Sequence, residues 1–273
     1  MTAVDRNGNG PVNDPVNDGR GHLRVAFVGK GGVGKSAIAG TFARVLARAG
    51  HDVLAIDSDP MPGLAFSLGV ESSDAAIPDD AVDQRPEGEE GPWYRLRAGL
   101  SASAAVECYA TLGPDGVRFL QFGKLRGGVA SIARSQHAFR QIVAELPPDR
   151  WSLVGDLPGG TRQPFFGWAD FADTVLVVTE PTIKSIFAAR RLARLALTED
   201  GPGRIVVLAN KVREPGDADH VGRRTGLPVI GAVPWDEALA DAERRGLAPI
   251  DEAPDSPAVL AIGSLVHELT EGS

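Results

Sequence analysis

The stretch Gly29-Lys30-Gly31-Gly32-Val33-Gly34-Lys35-Ser36 constrains this chain more than any other. An apolar run, Leu23 to Val28, precedes it, and Ile38, Phe42, Val45, Leu46 and Ala49 follow at helical spacing. The segment therefore reads as strand, glycine loop, helix. It fills every fixed position of G-x-x-x-x-G-K-[ST] in the setting that pattern requires. Glycines let the backbone turn its N–H groups toward a phosphate chain, and the helix adds free N–H groups and the positive end of its dipole. On this pattern Lys35 reaches the β- and γ-phosphates and the Ser36 hydroxyl ligates Mg²⁺. Residues 29–37, ending at Ala37, form the expected phosphate cradle.

The rest of the chain alternates strand and helix. Val53 to Ile56, Trp151 to Gly155, Thr174 to Thr179, Arg204 to Ala209 and Pro228 to Val233 are short apolar runs suited to strands buried on both faces. Shorter alternating runs, Trp93 to Arg97 and Val117 to Phe122, bracket a possible helix over Ser101 to Leu112. Helical spacing returns at Phe139, Ile142, Val143 and Leu146, at Ile186, Ala189, Leu192, Ala193 and Leu197, and over 236–245 and 256–269. The expected fold is α/β, a doubly wound and mainly parallel sheet flanked by helices. At 273 residues with 43% hydrophobic content, one P-loop domain over 23–273 accounts for the chain. Residues 1–22, rich in Asn, Gly, Asp and Pro, read as a disordered tail without a signal-peptide core. The acidic 71–91 stretch reads as a solvated, flexible insertion.

A formal charge of -8 argues against indiscriminate nucleic-acid binding, though it leaves room for a local basic patch. The single cysteine, Cys108, excludes an intrachain disulfide and reads as a small buried residue rather than a ligand. Five histidines show no ligand spacing. No apolar run reaches the 18 residues of a spanning helix, so no membrane insertion is expected and the location is read as cytoplasmic.

Polar clusters end five of the strands: the loop itself, Asp57-Ser58-Asp59-Pro60, Asp156, Asn210-Lys211 and Pro234. A parallel sheet brings such ends to one edge, where open α/β folds bind ligands. Asp156 holds the Walker B position, from which a carboxylate can bind Mg²⁺ through water; capping the next turn is its other reading. Asp57 and Asp59 could likewise cap a helix or turn.

Lys30 is not demanded by the phosphate-loop pattern. Lys-Gly-Gly-Val-Gly-Lys-Ser resembles the deviant Walker A loop of the MinD/ParA class of ATPases, which includes nitrogenase iron protein and nickel-insertion ATPases. The resemblance implies that Lys30 crosses an ATP-dependent homodimer interface to the partner's nucleotide, where a cation can stabilise the transferred phosphoryl group. It makes 57–60 switch I, with Asp59 positioning the attacking water and Asp57 near the Mg²⁺ shell. Asp156-Leu157-Pro158-Gly159-Gly160 becomes switch II, with an N–H at Gly159 for the γ-phosphate. Asn210-Lys211 resembles the base-recognition element, and Pro234-Trp235-Asp236 the turn that packs on adenine, or else a plain turn. Position 213 is Arg, so the guanine pattern N-K-x-D is absent and ATP is favoured over GTP.

Within the class the chain most resembles CooC-type maturation ATPases of carbon monoxide dehydrogenase. Leu64 and Leu68-Gly69 after Asp59-Pro60, Phe122-Gly123-Lys124-Leu125 before Gly127-Gly128, and His137-Ala138-Phe139-Arg140 opening a helix carry that likeness. Those ATPases bind nickel through a C-x-C pair whose places here fall near Ile132 and Arg134, so no thiolate is available. The expected function is an ATP-hydrolysing switch, slow and stimulated by an unidentified protein partner, that controls a partner or delivers a cofactor. The alternatives are a ParA-like positioning ATPase on DNA or a scaffold, and a nucleotide-gated adaptor with negligible turnover. Arg190, Arg191 and Arg194, with Arg223-Arg224 and Arg244-Arg245, are candidates for a DNA-contacting patch or simply solvated helix faces. A MinD-like membrane helix is not expected, since Leu260 to Ser273 lacks Lys and Arg.

Overall fold

A computed structural model describes residues 22–59, 63–71, 77–121, 129–160, 168–196 and 203–271. The expected tail, Pro60, the 122–128 segment and Leu197 lie outside the described residues. Among the described residues an eight-stranded sheet runs in the order β10-β9-β8-β1-β7-β2-β6-β5. Its centre is β1 (Arg24–Gly29), flanked by β7 (Ser152–Asp156) and β8 (Thr174–Thr179), both parallel to it. Outward lie β2 (Val53–Asp57) and β6 (Arg118–Gln121) on one side, β9 (Arg204–Val212) and β10 (Val229–Pro234) on the other. Only the two-residue edge strand β5 (Thr111–Leu112) runs antiparallel within this sheet.

The central strands are buried on both faces, which is why they read as unbroken apolar runs and not as alternating ones. Two cores result. One face packs Phe27, Val25, Val154 and Leu176 against Phe42 and Ile38 of α1 (Lys35–Arg48) and Ile262 of α9 (Pro257–Glu271). The other packs Ala26, Leu153 and Val177 against Phe139 and Ile142 of α4 (Val129–Glu145) and Leu192 of α5 (Ile183–Ala196). Shorter helices complete the layers: α2 (Leu64–Leu68), α3 (Ala102–Tyr109), α6 (Asp217–Thr225), α7 (Glu237–Arg245) and α8 (Pro249–Glu252).

The structure departs from the sequence reading in four places. The acidic 71–91 stretch contains a 3₁₀ turn over Asp79–Ala81 and β3 (Val82–Gln84), which pairs antiparallel with β4 (Tyr94–Leu96). Ile77, Ala81 and Val82 sink into the core and anchor its latter half, while residues 86–91 are exposed. The helix expected to open at His137 starts at Val129, because 129–136 holds no Gly or Pro to delay it. Strand β9 continues through Asn210 and Lys211 instead of stopping before them. Cys108 is exposed, on the outer side of a short helix whose Ala105 and Val106 face inward.

Candidate nucleotide-binding site

The glycine loop joins β1 to α1 at the carboxyl edge of the sheet, and three of its glycines are required by geometry. A Cβ at Gly29 would lie 2.6 Å from the Val178 carbonyl oxygen of β8. Gly34 has φ +91° and its Cβ would fall 2.7 Å from Asn210 Nδ2. Gly32 has φ +83°, and Gly31 and Gly32 are both exposed, with nothing within 4 Å of such an added atom. Val33 and Ala37 are buried and fix the loop's two ends to the core. Lys35 is 8% exposed, whereas Lys30 is exposed and its side chain makes no hydrogen bond or ion pair among the described residues.

The strand ends bring the carboxylates under this loop. Asp156 is buried, accepts a 2.5 Å hydrogen bond from Ser36 Oγ through Oδ2, and leaves Oδ1 without a partner among the described residues. Burial raises its pKa, opposed by the Lys35 charge and the Ser36 hydroxyl. An orphaned, buried carboxylate oxygen beside a serine hydroxyl is a hard-oxygen donor set, so these residues fit Mg²⁺ held in part through water. Asp57 is also buried, and burial followed by the Asp156 charge raises its pKa. Its Oδ1 accepts from the Asp59 N–H at 2.9 Å and its Oδ2 from the Leu64 N–H at 3.1 Å, so it holds the backbone at Asp59 and at the start of α2. Ser58 ties the end of β2 to β7, donating to the Asp156 carbonyl from its N–H at 3.1 Å and its hydroxyl at 3.2 Å. Asp59 is half-buried, and its charge pushes both neighbouring aspartates further up. A Cβ at Gly159 would lie 3.1 Å from Gly31 Cα and N, so the second expected switch rests on the loop itself.

The far side of the site turns on a β-bulge that periodicity does not reveal. Val233 of β10 pairs with Asn210 and Pro234 with Val212, so Lys211 is the extra residue, at φ +57°. The bulge aims two consecutive side chains at the loop. Asn210 Nδ2 donates to the Val33 carbonyl at 2.7 Å, and Lys211 Nζ donates to the Gly32 carbonyl at 3.0 Å. Lys211 also pairs with Glu180 at 2.7 Å. Glu180 escaped the sequence reading, although a carboxylate directly after the Thr174–Thr179 strand was a visible signal. Beside Pro234, the Trp235 ring lies 4.3 Å under the Arg213 guanidinium. Asp236 serves the fold: its side chain caps α7 and also accepts from the Ala258 N–H at 3.0 Å.

The profile of the CobQ/CobB/MinD/ParA nucleotide binding domain matches residues 25–250. The chain belongs to this family. An uncharacterized ATP-binding protein of Methanocaldococcus jannaschii is 29% identical over 234 residues, 82% of this chain and 90% of that one. The carbon monoxide dehydrogenase accessory protein CooC of Rhodospirillum rubrum is 28% identical over 248 residues, 85% of this chain and 91% of that one. Among solved structures, the septum site-determining protein MinD of Pyrococcus horikoshii, complexed with Mg-ADP, superposes with a TM-score of 0.69. That match has 16% identity and covers 91% of this chain and 96% of MinD, so it bears on the fold. This MinD/ParA-family chain thus has the family's mainly parallel sheet, with the phosphate loop at its carboxyl edge.

Two further expectations can be placed in the MinD/ParA fold. Arg134, at one of the two expected cysteine places, lies on α4 with its guanidinium 5.7 Å over Tyr94; the side chain of Ile132 is outside the described residues. Among the described residues no group of three or more His, Cys, Asp or Glu could hold a metal ion, and no helix is long and apolar enough to cross a membrane.

Proposed function

We propose that this protein is an ATPase that dimerises around Mg·ATP and uses hydrolysis to switch a partner interaction or deliver a cofactor. The observation that carries the proposal is the unequal fate of two lysines in one loop. Lys35 is buried where its charge reaches Asp156, within the site, while Lys30 is exposed on the loop's outer face. A loop that only holds phosphate needs the first lysine; the second suits a nucleotide shared with a second copy.

The remaining residues fit defined roles. Backbone N–H groups of the exposed Gly31 and Gly32 would cradle phosphate, and Lys35 would neutralise its charge. Ser36 and Asp156 would hold Mg²⁺, which would supply positive charge to the phosphates. Asp59 orients the attacking water, and Gly159, lying against Gly31, offers an N–H to the γ-phosphate. With Nδ2 of Asn210 donating to Val33, the oxygen of that amide is left as an acceptor. An acceptor suits the adenine amino group and disfavours the guanine carbonyl, which supports ATP. Pro234 and Lys211 would border the base.

The test is Lys30→Ala, measured for nucleotide affinity and turnover. Nucleotide binding within about threefold of the wild type, with turnover reduced at least ~100-fold as for loss of an arginine finger, is expected. Unchanged turnover would sink the shared-site mechanism.

A second reading has its own support. Arg190, Arg191 and Arg194 of α5 are exposed, and none makes an ion pair among the described residues. They suit an ATP-gated contact with DNA or an acidic scaffold. Salt-sensitive, ATP-dependent retention on DNA would favour that reading, and retention unaffected by ATP would remove it.

A further inference from the structure

On the sheet face carrying α4, a cavity of about 390 Å³ opens between α4, the segment leading into β4, and residues 168–171. That volume lies in the range of small-molecule sites, whose usual make-up is an apolar floor with few polar groups. The floor is Phe139, Val143 and Phe171, all buried. Trp168 and Tyr94 form walls, Trp168 tilted at 39° to Phe139 with centroids 5.9 Å apart.

Arg140, Asp170 and Glu145 are the charged groups lining this cavity, beside His137. The Arg140 guanidinium sits 5.8 Å above the Trp168 ring, is exposed, and makes no hydrogen bond or ion pair among the described residues. Asp170 lies exposed at the same rim. His137 stands beside Tyr94, with ring centroids 5.7 Å apart, and Gln141 and Glu145 are engaged with each other. Gln141 Oε1 accepts from the Leu96 N–H at 2.6 Å, and its Nε2 donates to Glu145 Oε1 at 3.0 Å.

The cavity is also joined to the nucleotide site by one ring. A Cβ at Gly155 would lie 2.5 Å from Phe171 Cζ and 3.3 Å from Ile56 Cγ1. Gly155 directly precedes Asp156, and Ile56 directly precedes Asp57. Phe171, at the floor of the cavity, therefore packs against β7 at the residue directly before the buried Asp156.

We propose that this cavity binds a planar heteroaromatic acid, its ring on the aromatic floor against Trp168, its carboxylate on Arg140 and its ring N–H on Asp170, and that Phe171 transmits its occupancy to the nucleotide site. The transmission rests on the nucleotide reading above; the binding does not. Ring stacking and a charge-assisted hydrogen bond would both be made within this cavity, and neither involves the phosphate loop.

The test is isothermal titration calorimetry of the full chain with indole-3-acetate. One site is expected, weakened about tenfold or more by Arg140→Gln through loss of a charged hydrogen bond. Ala144→Trp, which fills the cavity from an exposed lining position, should abolish it. Both variants should still bind Mg·ADP, Arg140→Gln with the wild-type affinity, which shows that they are folded. Saturating Mg·ADP should shift the indole-3-acetate affinity at least about threefold, and reciprocally. No binding at millimolar ligand, or binding unchanged in either variant, would overturn the site. Equal affinity with and without Mg·ADP, in protein that demonstrably binds Mg·ADP, would overturn the transmission. Failure to bind Mg·ADP at all would strike the nucleotide reading instead.

Discussion

Asn210 and Val33 stand 177 positions apart, yet the Asn210 amide donates to the Val33 carbonyl across 2.7 Å, both residues being buried. The bond pins the phosphate loop to β9, two strands away. Asn210→Ala removes the donor and leaves the Val33 carbonyl buried without it, at a cost of about 1–3 kcal/mol. The variant should unfold at lower urea than the wild type without nucleotide, and ATP should bind more weakly because the loop is no longer held in place. Denaturant titration and calorimetry read the two effects separately.

Ser36→Ala acts on the opposite side of the loop. It deletes the hydroxyl that bonds Asp156, so a buried carboxylate is left with less compensation. The Asp156 pKa should rise further, since the hydrogen bond holds it down. Magnesium-dependent tightening of nucleotide binding should fall at least about tenfold, measured as ATP affinity with and without Mg²⁺. Nucleotide affinity in EDTA should change far less.

Asp236 sets an acid limit on stability. Burial works to raise its pKa, but hydrogen bonds from the Ala258 N–H, Ser256 and the first turn of α7 outweigh it and hold the group below its ordinary value. The folded state therefore binds fewer protons than the unfolded state in that range. This stabilisation is complete above the unfolded Asp value of about 3.9 and is lost as pH falls through the lower folded value. Asp236→Ala should cost about 1 kcal/mol or somewhat more at neutral pH, as for a lost N-cap. Its deficit against the wild type should shrink as both are acidified, which thermal melts from pH 7 to pH 3 would show.

Two arginines one helical turn apart on α1 should respond differently to truncation. Arg44, 2% exposed, bonds the Leu68 carbonyl at 2.9 Å, Asp251 at 2.8 Å, and Asp115. Arg48 reaches the same two aspartates but is 44% exposed. Arg44→Met should cost about 1.5–3 kcal/mol, as for a buried hydrogen bond to a charged group, and Arg48→Met no more than about 1 kcal/mol. Denaturant midpoints of the two variants decide it.

These contrasts mark how far the sequence could be read. The central strands were legible because burial on both faces leaves unbroken apolar runs such as Thr174–Thr179. The loop was legible because its glycines and lysine act locally, within one strand-to-helix turn. The bulge at Lys211 was not, since it exists only in the register between β9 and β10, and neither strand alone encodes that pairing. The burial of Ile77, Ala81 and Val82 was hidden by acidic neighbours that set the local composition without deciding which side chains face the core. Cys108 shows the same limit in reverse: residue type favoured burial, but its place on α3 faces it outward.

The central claim is that nucleotide brings two copies of this chain together through the loop carrying Lys30. Light scattering of the full chain, with Mg·ADP and then with Mg²⁺ and a non-hydrolysable ATP analogue, tests it most directly. The account predicts a monomer with ADP, a dimer with the analogue, and a monomer with both for Lys30→Ala. A wild-type mass that stays the same with both nucleotides, in protein that binds each of them, would contradict it.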